Sequence, residues 1–240
     1  MRKTITILLL TITTVLNAQN FEGTLTYSVD FKVSQKMLDM GMTKEMLKAN
    51  MESEGTWADT LITSYKNGFY KKLNLSTTNS WIIYRPDSNK LYTFQDGEAS
   101  DICTVNDASV DLEYKMTGKM PVITLLDTLV KFNEYELKMV EVKWKSGTYY
   151  YLFSENHFKA NPEQYKGHIY DGYYEYLKIS KSLPIVIIKE TGGMITITMS
   201  LAEYKEDKIE DSLFQIPELV EDEELNSFNF GAGKMMKIKN

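Results

Sequence analysis

A single cysteine among 240 residues rules out an intramolecular disulfide, so the fold must rest on its core rather than on covalent staples. Two histidines, His157 and His168, leave little material for a metal centre. They lie 11 residues apart, and Asp171 or Glu155 could serve as a third ligand, but no recognised zinc spacing is present. Basic residues are the minority: 27 Lys and Arg stand against 33 Asp and Glu, for a net charge of −6. That balance argues against binding of a nucleic-acid backbone, which requires a basic surface. No apolar run reaches the roughly 18 residues of a membrane-spanning helix. Also missing are a Gly-x-Ser-x-Gly elbow, a His-Glu-x-x-His pair, a Gly-x-x-x-x-Gly-Lys loop and a Gly-x-Gly-x-x-Gly turn. No catalytic residue, cofactor or metal is expected from this inventory, and the chain reads as non-enzymatic.

What is present begins with an export signal. Arg2 and Lys3 precede residues 5–16, where eight Ile, Leu or Val and four Thr run without a charge. Asn17-Ala18 supplies a small residue for cleavage. Residues 1–18 are therefore expected to be a signal peptide. No cysteine lies near the cut, so the product should be a soluble periplasmic or extracellular protein. The sole cysteine, Cys103, sits in an alternating apolar stretch without a neighbouring base and reads as a small buried hydrophobe.

The mature chain opens on strict alternation: Phe21, Gly23, Leu25, Tyr27, Val29 and Phe31 on one face, with polar residues between them. Period two with one wet face is the signature of an antiparallel strand. Residues 34–51 change to helix formers and contain five of the 13 methionines. Two short helices are expected here, with Thr43 capping the second. They either pack as core or offer an adaptable Met surface through Met37, Met42 and Met46.

Strands then return. Residues 58–66 and 69–76 flank Asn67-Gly68, a strong hairpin signal. Residues 81–85 and 90–95 flank a Pro-Asp-Ser-Asn turn, and Asp96-Gly97 precedes the strand around Cys103. Residues 106–134 are ambiguous: 122–130 suits either strand or helix, with Pro121 at its start. Hairpins at Ser146-Gly147 and Thr191-Gly192-Gly193 follow, separated by a loop over 154–172 and an expected strand over 173–179. The whole reads as one mainly β (α+β) domain over 19–217, with 218–240 an acidic, frayed tail.

Aromatic density is the clearest departure from average composition. Eleven aromatics fall within residues 144–176. On the strand from Thr148, Tyr149, Tyr151 and Phe153 share a face, and Tyr174 and Tyr176 lie in the next expected strand. Such residues either simply favour strands or line a cavity, because a Tyr ring gains from burial while its hydroxyl tolerates water. The candidate lining set is Met37, Met42, Met46, Tyr149, Tyr151, Phe153, Tyr174 and Tyr176.

The order of parts resembles a family of secreted Gram-negative proteins, a domain of unknown function similar to the LolA/LolB-like lipoprotein-localisation fold. The resemblance rests on Phe21-Glu22-Gly23-Thr24-Leu25-Thr26-Tyr27, on Ser182-Leu183-Pro184 before an apolar strand, and on the closing Leu213-Phe214-Gln215-Ile216-Pro217. It implies a strongly curved antiparallel sheet, an incomplete barrel, covered by short helices on its concave side, with lipid acyl chains held between them. Two functions are thus expected: binding of a lipid or other apolar ligand, or an envelope protein–protein interaction without a small molecule.

Overall fold

A computed structural model describes residues 20–227 and 233–239. The expected signal peptide lies outside the described residues. Among the described residues thirteen strands form one antiparallel sheet, and the fold is mainly β. The opening alternation becomes β1 (Gly23–Val33), with Leu25, Tyr27 and Phe31 buried. Each such side chain contributes about 1.5–3 kcal/mol by leaving water. To one side of β1 the chain meanders through β2 (Thr60–Lys66), β3 (Phe69–Leu75), β4 (Ser80–Arg85), β5 (Lys90–Gln95) and β6 (Ile102–Asp107). To the other side stand, in order, β11 (Ile195–Glu206), β10 (Val186–Thr191), β9 (Gly147–Phe153), β8 (Tyr135–Lys143) and β7 (Val122–Phe132). The Asn67-Gly68 turn forms as expected, with φ of 49° and 85°, the paired positive values that a two-residue hairpin requires.

The Met-rich segment forms α1 (Gln35–Asp39) and α2 (Lys44–Ser53), and the Thr43 hydroxyl accepts from the Met46 N–H. Ion pairs tie α2 down: Lys44 to Asp30 at 2.6 Å and Lys48 to Asp59 at 2.8 Å. The ambiguous middle resolves into α3 (Leu112–Thr117) and the edge strand β7.

Two sequence expectations fail. Residues 173–179 are not a strand but lie in α4 (Tyr173–Ser180). Tyr176, Leu177 and Ser180 are its buried residues, a spacing of one, three and four that is helical rather than alternating. Aromatic content favoured a strand, but a helix lets these side chains meet the sheet together. The segment 218–240 does not simply fray either. Its described residues supply β12 (Leu219–Glu221), α5 (Glu223–Ser227) and β13 (Lys234–Ile238), and β13 pairs with β6. The sheet's two outermost strands are therefore β12 and β7, and it does not close into a barrel.

Both sheet faces carry apolar clusters. The larger unites Leu25, Tyr27, Tyr65, Tyr84, Val140, Tyr151, Tyr176 and Leu177 with their neighbours. The smaller lies on the opposite face of β3 and β4, where Ile83, Phe94 and Cys103 are covered by Phe214 of the closing motif. Phe214 meets the Phe69 ring at 5.7 Å.

Candidate functional site

A cavity of about 390 Å³ lies within the larger cluster. Strand alternation sends every second residue into it: Tyr27 from β1, Leu61, Thr63 and Tyr65 from β2, Tyr70 and Lys72 from β3, Tyr149 and Tyr151 from β9, Ile187 and Lys189 from β10. Register explains the juxtapositions, because Thr63 stands opposite Lys72, Ile187 opposite Tyr151, and Lys189 opposite Tyr149. The connection between β9 and β10 completes the wall with His168, Tyr170, Asp171, Tyr173 and Pro184.

Hydrogen bonds hold this wall in place. The Tyr27 hydroxyl donates to the Pro184 carbonyl at 2.6 Å, and the Tyr151 hydroxyl donates to the Asp171 carbonyl at 3.0 Å. Tyr70 Oη and His168 Nε2 are hydrogen-bonded at 2.8 Å. Tyr176 does not reach the cavity. It backs Tyr151 by stacking at 4.5 Å and donates to the Ser182 carbonyl at 2.7 Å.

Charged groups cluster at one side. Burial alone would push the Asp171 carboxyl up, but the ion pair with Lys189, together with Lys72 and His168, holds it below its ordinary value. Lys189 also lies over the Tyr149 ring at 4.8 Å. Burial pushes the Lys72 ammonium down to about 8, with Lys189 adding to the effect and Asp171 opposing it. Burial likewise pushes His168 down to about 4, so its ring is neutral at pH 7, and its Nδ1 has no hydrogen-bond partner among the described residues. Among the described residues no carboxylate forms an ion pair with Lys72. The arrangement is an apolar, tyrosine-walled chamber with one neutralised ion pair and one cation left over.

A second cavity of about 470 Å³ adjoins the first, since Tyr149, Tyr170 and Asp171 line both. Its remaining wall includes Leu112 and Met116 of α3 and the side chain of Trp144. Asp111 fixes this junction: its carboxylate caps α3 by accepting from the Glu113 N–H at 2.8 Å and also accepts from the Asp171 N–H at 3.1 Å. The Ser146 N–H donates to the Glu113 carboxylate at 2.9 Å, tying α3 to the hairpin turn before β9.

Of the expected lining residues, Tyr149 and Tyr151 line the 390 Å³ cavity. Phe153 and Tyr176 are core residues beside it, and Tyr174 sits on α4 beneath the Lys178 ammonium. The methionines are elsewhere: none of Met37, Met42 and Met46 lines it, and Met46 is 56% exposed. They do not share one helix: Met37 is buried on α1, Met42 lies between α1 and α2, and Met46 is on α2, which buries no residue fully. The two histidines are also separated. His157 bonds the Ser154 hydroxyl at 2.9 Å and lines a surface cleft with Phe21 and Tyr204, whereas His168 and Asp171 meet in the cavity. No cluster of three metal-ligating side chains occurs among the described residues.

Composition alone gave no sign of Lys72 and Lys189, yet the pattern held one. Lys72 is two residues from Tyr70 and Lys189 two from Ile187, so each shares a face with an apolar neighbour.

No family model matches the chain, and no curated protein matches it. Among solved structures, PNGF-II in the C2 and P21 space groups aligns at a TM-score of 0.42 and 11% identity, over 80% of this chain and 30% of that one. The chain spans less than a third of the length of the PNGF-II it is similar to.

Proposed function

We propose that the chain is an exported, non-enzymatic binding protein that holds a lipid or other apolar ligand in the tyrosine-walled cavity. The observation that carries this reading is the chamber itself: 390 Å³ of space inside the main core, lined chiefly by aromatic and aliphatic side chains with a few converging polar groups. That is the usual make-up of a small-molecule site. In this reading the sheet bends around the ligand. Seven steps of sheet order separate β5 from β9, about 34 Å in a flat sheet. Leu91 of β5 and Tyr149 of β9 nevertheless line one cavity. The cover is then the turn at 168–173 with α4 behind it, rather than the Met-rich helices. Native mass spectrometry and solvent extraction of protein purified from its producing cell test the reading. A co-purifying or titratable apolar ligand is expected. Its absence, with no binding across a panel of long-chain apolar probes, would reject it.

An envelope interaction module is the second reading, and one observation favours it. Edge strand β7 leaves Val122, Leu125 and Leu129 exposed beside a backbone edge that no strand among the described residues pairs with. Pull-down from envelope extract, compared with a β7 variant carrying Leu125→Lys and Leu129→Lys, tests it.

A further inference from the structure

We propose that the ligand of this cavity carries a single anionic group, a carboxylate on an apolar body, and that Lys72 receives it. The inference rests on the binding reading above and names the class of molecule bound. Its ground is a charge count. The cavity wall carries Lys72, Lys189 and Asp171, and His168 is neutral at pH 7. Asp171 and Lys189 satisfy each other. One positive charge remains, on Lys72, inside a wall of tyrosine and aliphatic side chains.

Nothing in its own sheet relieves that charge. Across the ladder Lys72 faces Thr63 on β2 and Ile82 on β4, both uncharged. Tyr70, two residues before it on the same face, is engaged with His168. The adjacent Lys71 shows what an ordinary strand lysine does here: it points to the other face and lies over the Trp81 ring at 5.4 Å. Lys72 is half-buried, and a cation so placed among tyrosine and aliphatic side chains gains from a counter-ion. A ligand anion supplies one, in a setting where a charge-assisted hydrogen bond is strong.

The apolar body has room as well. From Lys72 the chamber runs past Leu61, Ile82 and Leu91, and its Tyr149–Tyr170 wall is shared with the second cavity lined by Leu112, Met116 and Trp144.

The test uses dansyl-labelled undecanoic acid and its methyl ester, titrated by fluorescence into the full mature chain and three variants. The acid should bind wild type about tenfold to a hundredfold more tightly than the ester, the range of a hydrogen bond to a charged group. Lys72→Met and Lys72→Gln should lose that preference while keeping the ester affinity, and Lys71→Met should retain it. Equal binding of acid and ester by wild type, or a preference that survives both Lys72 variants, overturns the assignment and leaves the apolar-binding reading standing. Binding of neither probe overturns both.

Discussion

A cation kept without a counter-ion should weaken the fold that contains it, and replacing Lys72 with methionine measures by how much. Methionine retains most of the apolar stem and removes the charge. Burial lowers the Lys72 ammonium from 10.5 to about 8. At about 1.4 kcal/mol for each tenfold, that shift is worth at most about 3.5 kcal/mol. Lys72 keeps some accessible surface, and water in the cavity screens it, so Lys72→Met is expected to stabilise the ligand-free protein by about 1–3 kcal/mol near pH 7. For a chain of this size that raises Tm by roughly 2–4 °C per kcal/mol. The sign with pH is fixed. The folded chain releases this proton more readily than the unfolded chain. The penalty is therefore complete below about pH 8 and fades as pH rises toward 10.5. Urea denaturation followed by the emission of Trp57 and Trp144, both buried, reads the difference between wild type and variant. A variant no more stable than wild type near pH 7, or a gap that stays constant up to about pH 10, would refute the reasoning.

His168 should impose a dependence of the same sign on the acid side, stability again rising with pH. Its folded value of about 4 lies below the ordinary 6.5, so stability is full above about 6.5 and falls by up to about 3 kcal/mol as pH drops to about 4. Denaturation of His168→Gln across that range should show a shallower slope than wild type. Cys103 is fully buried, with its thiol pushed up to about 12 by desolvation, so maleimide should label it only in denaturant; rapid labelling of native protein would contradict its placement. Gly68→Ala should cost about 1–3 kcal/mol in urea denaturation, because φ there is 85° and an added Cβ would lie 2.7 Å from the Gln164 Cβ.

Local chemistry made the hairpins legible. Asn67-Gly68, Ser146-Gly147 and the Thr191-Gly192-Gly193 turn each mark a place where strand direction reverses, and Asn67, Gly68, Gly192 and Gly193 take the positive φ that these residue types adopt cheaply. Thr43 announced its helix for a similar reason: a capping hydroxyl acts within one turn. Tyr173 to Ile179 misled because Tyr, Leu and Ile suit both strand and helix, and seven residues are too few for the period to decide. The strand over 234–238 was hidden because its partner, β6, lies some 130 residues earlier, and Lys-Met-Met-Lys-Ile carries no local turn signal. The cavity was half visible. Tyr149 and Tyr151 follow from alternation on one strand, whereas the meeting of Lys72, Asp171 and Lys189 depends on three segments that only tertiary structure joins.

The place of β1 governs when the molecule can assemble. β1 pairs with β2 on one edge and β11 on the other, so Gly23 stands beside both Tyr65 and Glu206. The first ladder closes a short loop soon after synthesis. The second must wait until β11 is made and then close a loop of well over 150 residues, the kind of long-range contact that slows folding. Until residues 195–206 emerge, the first strand has a bare edge, Met199 is missing from the chamber wall, and β10 and β9 have nothing to join to β1. A nascent chain stalled short of β11 thus presents two unconnected half-sheets with sticky edges, the species that chaperones guard and proteases cut.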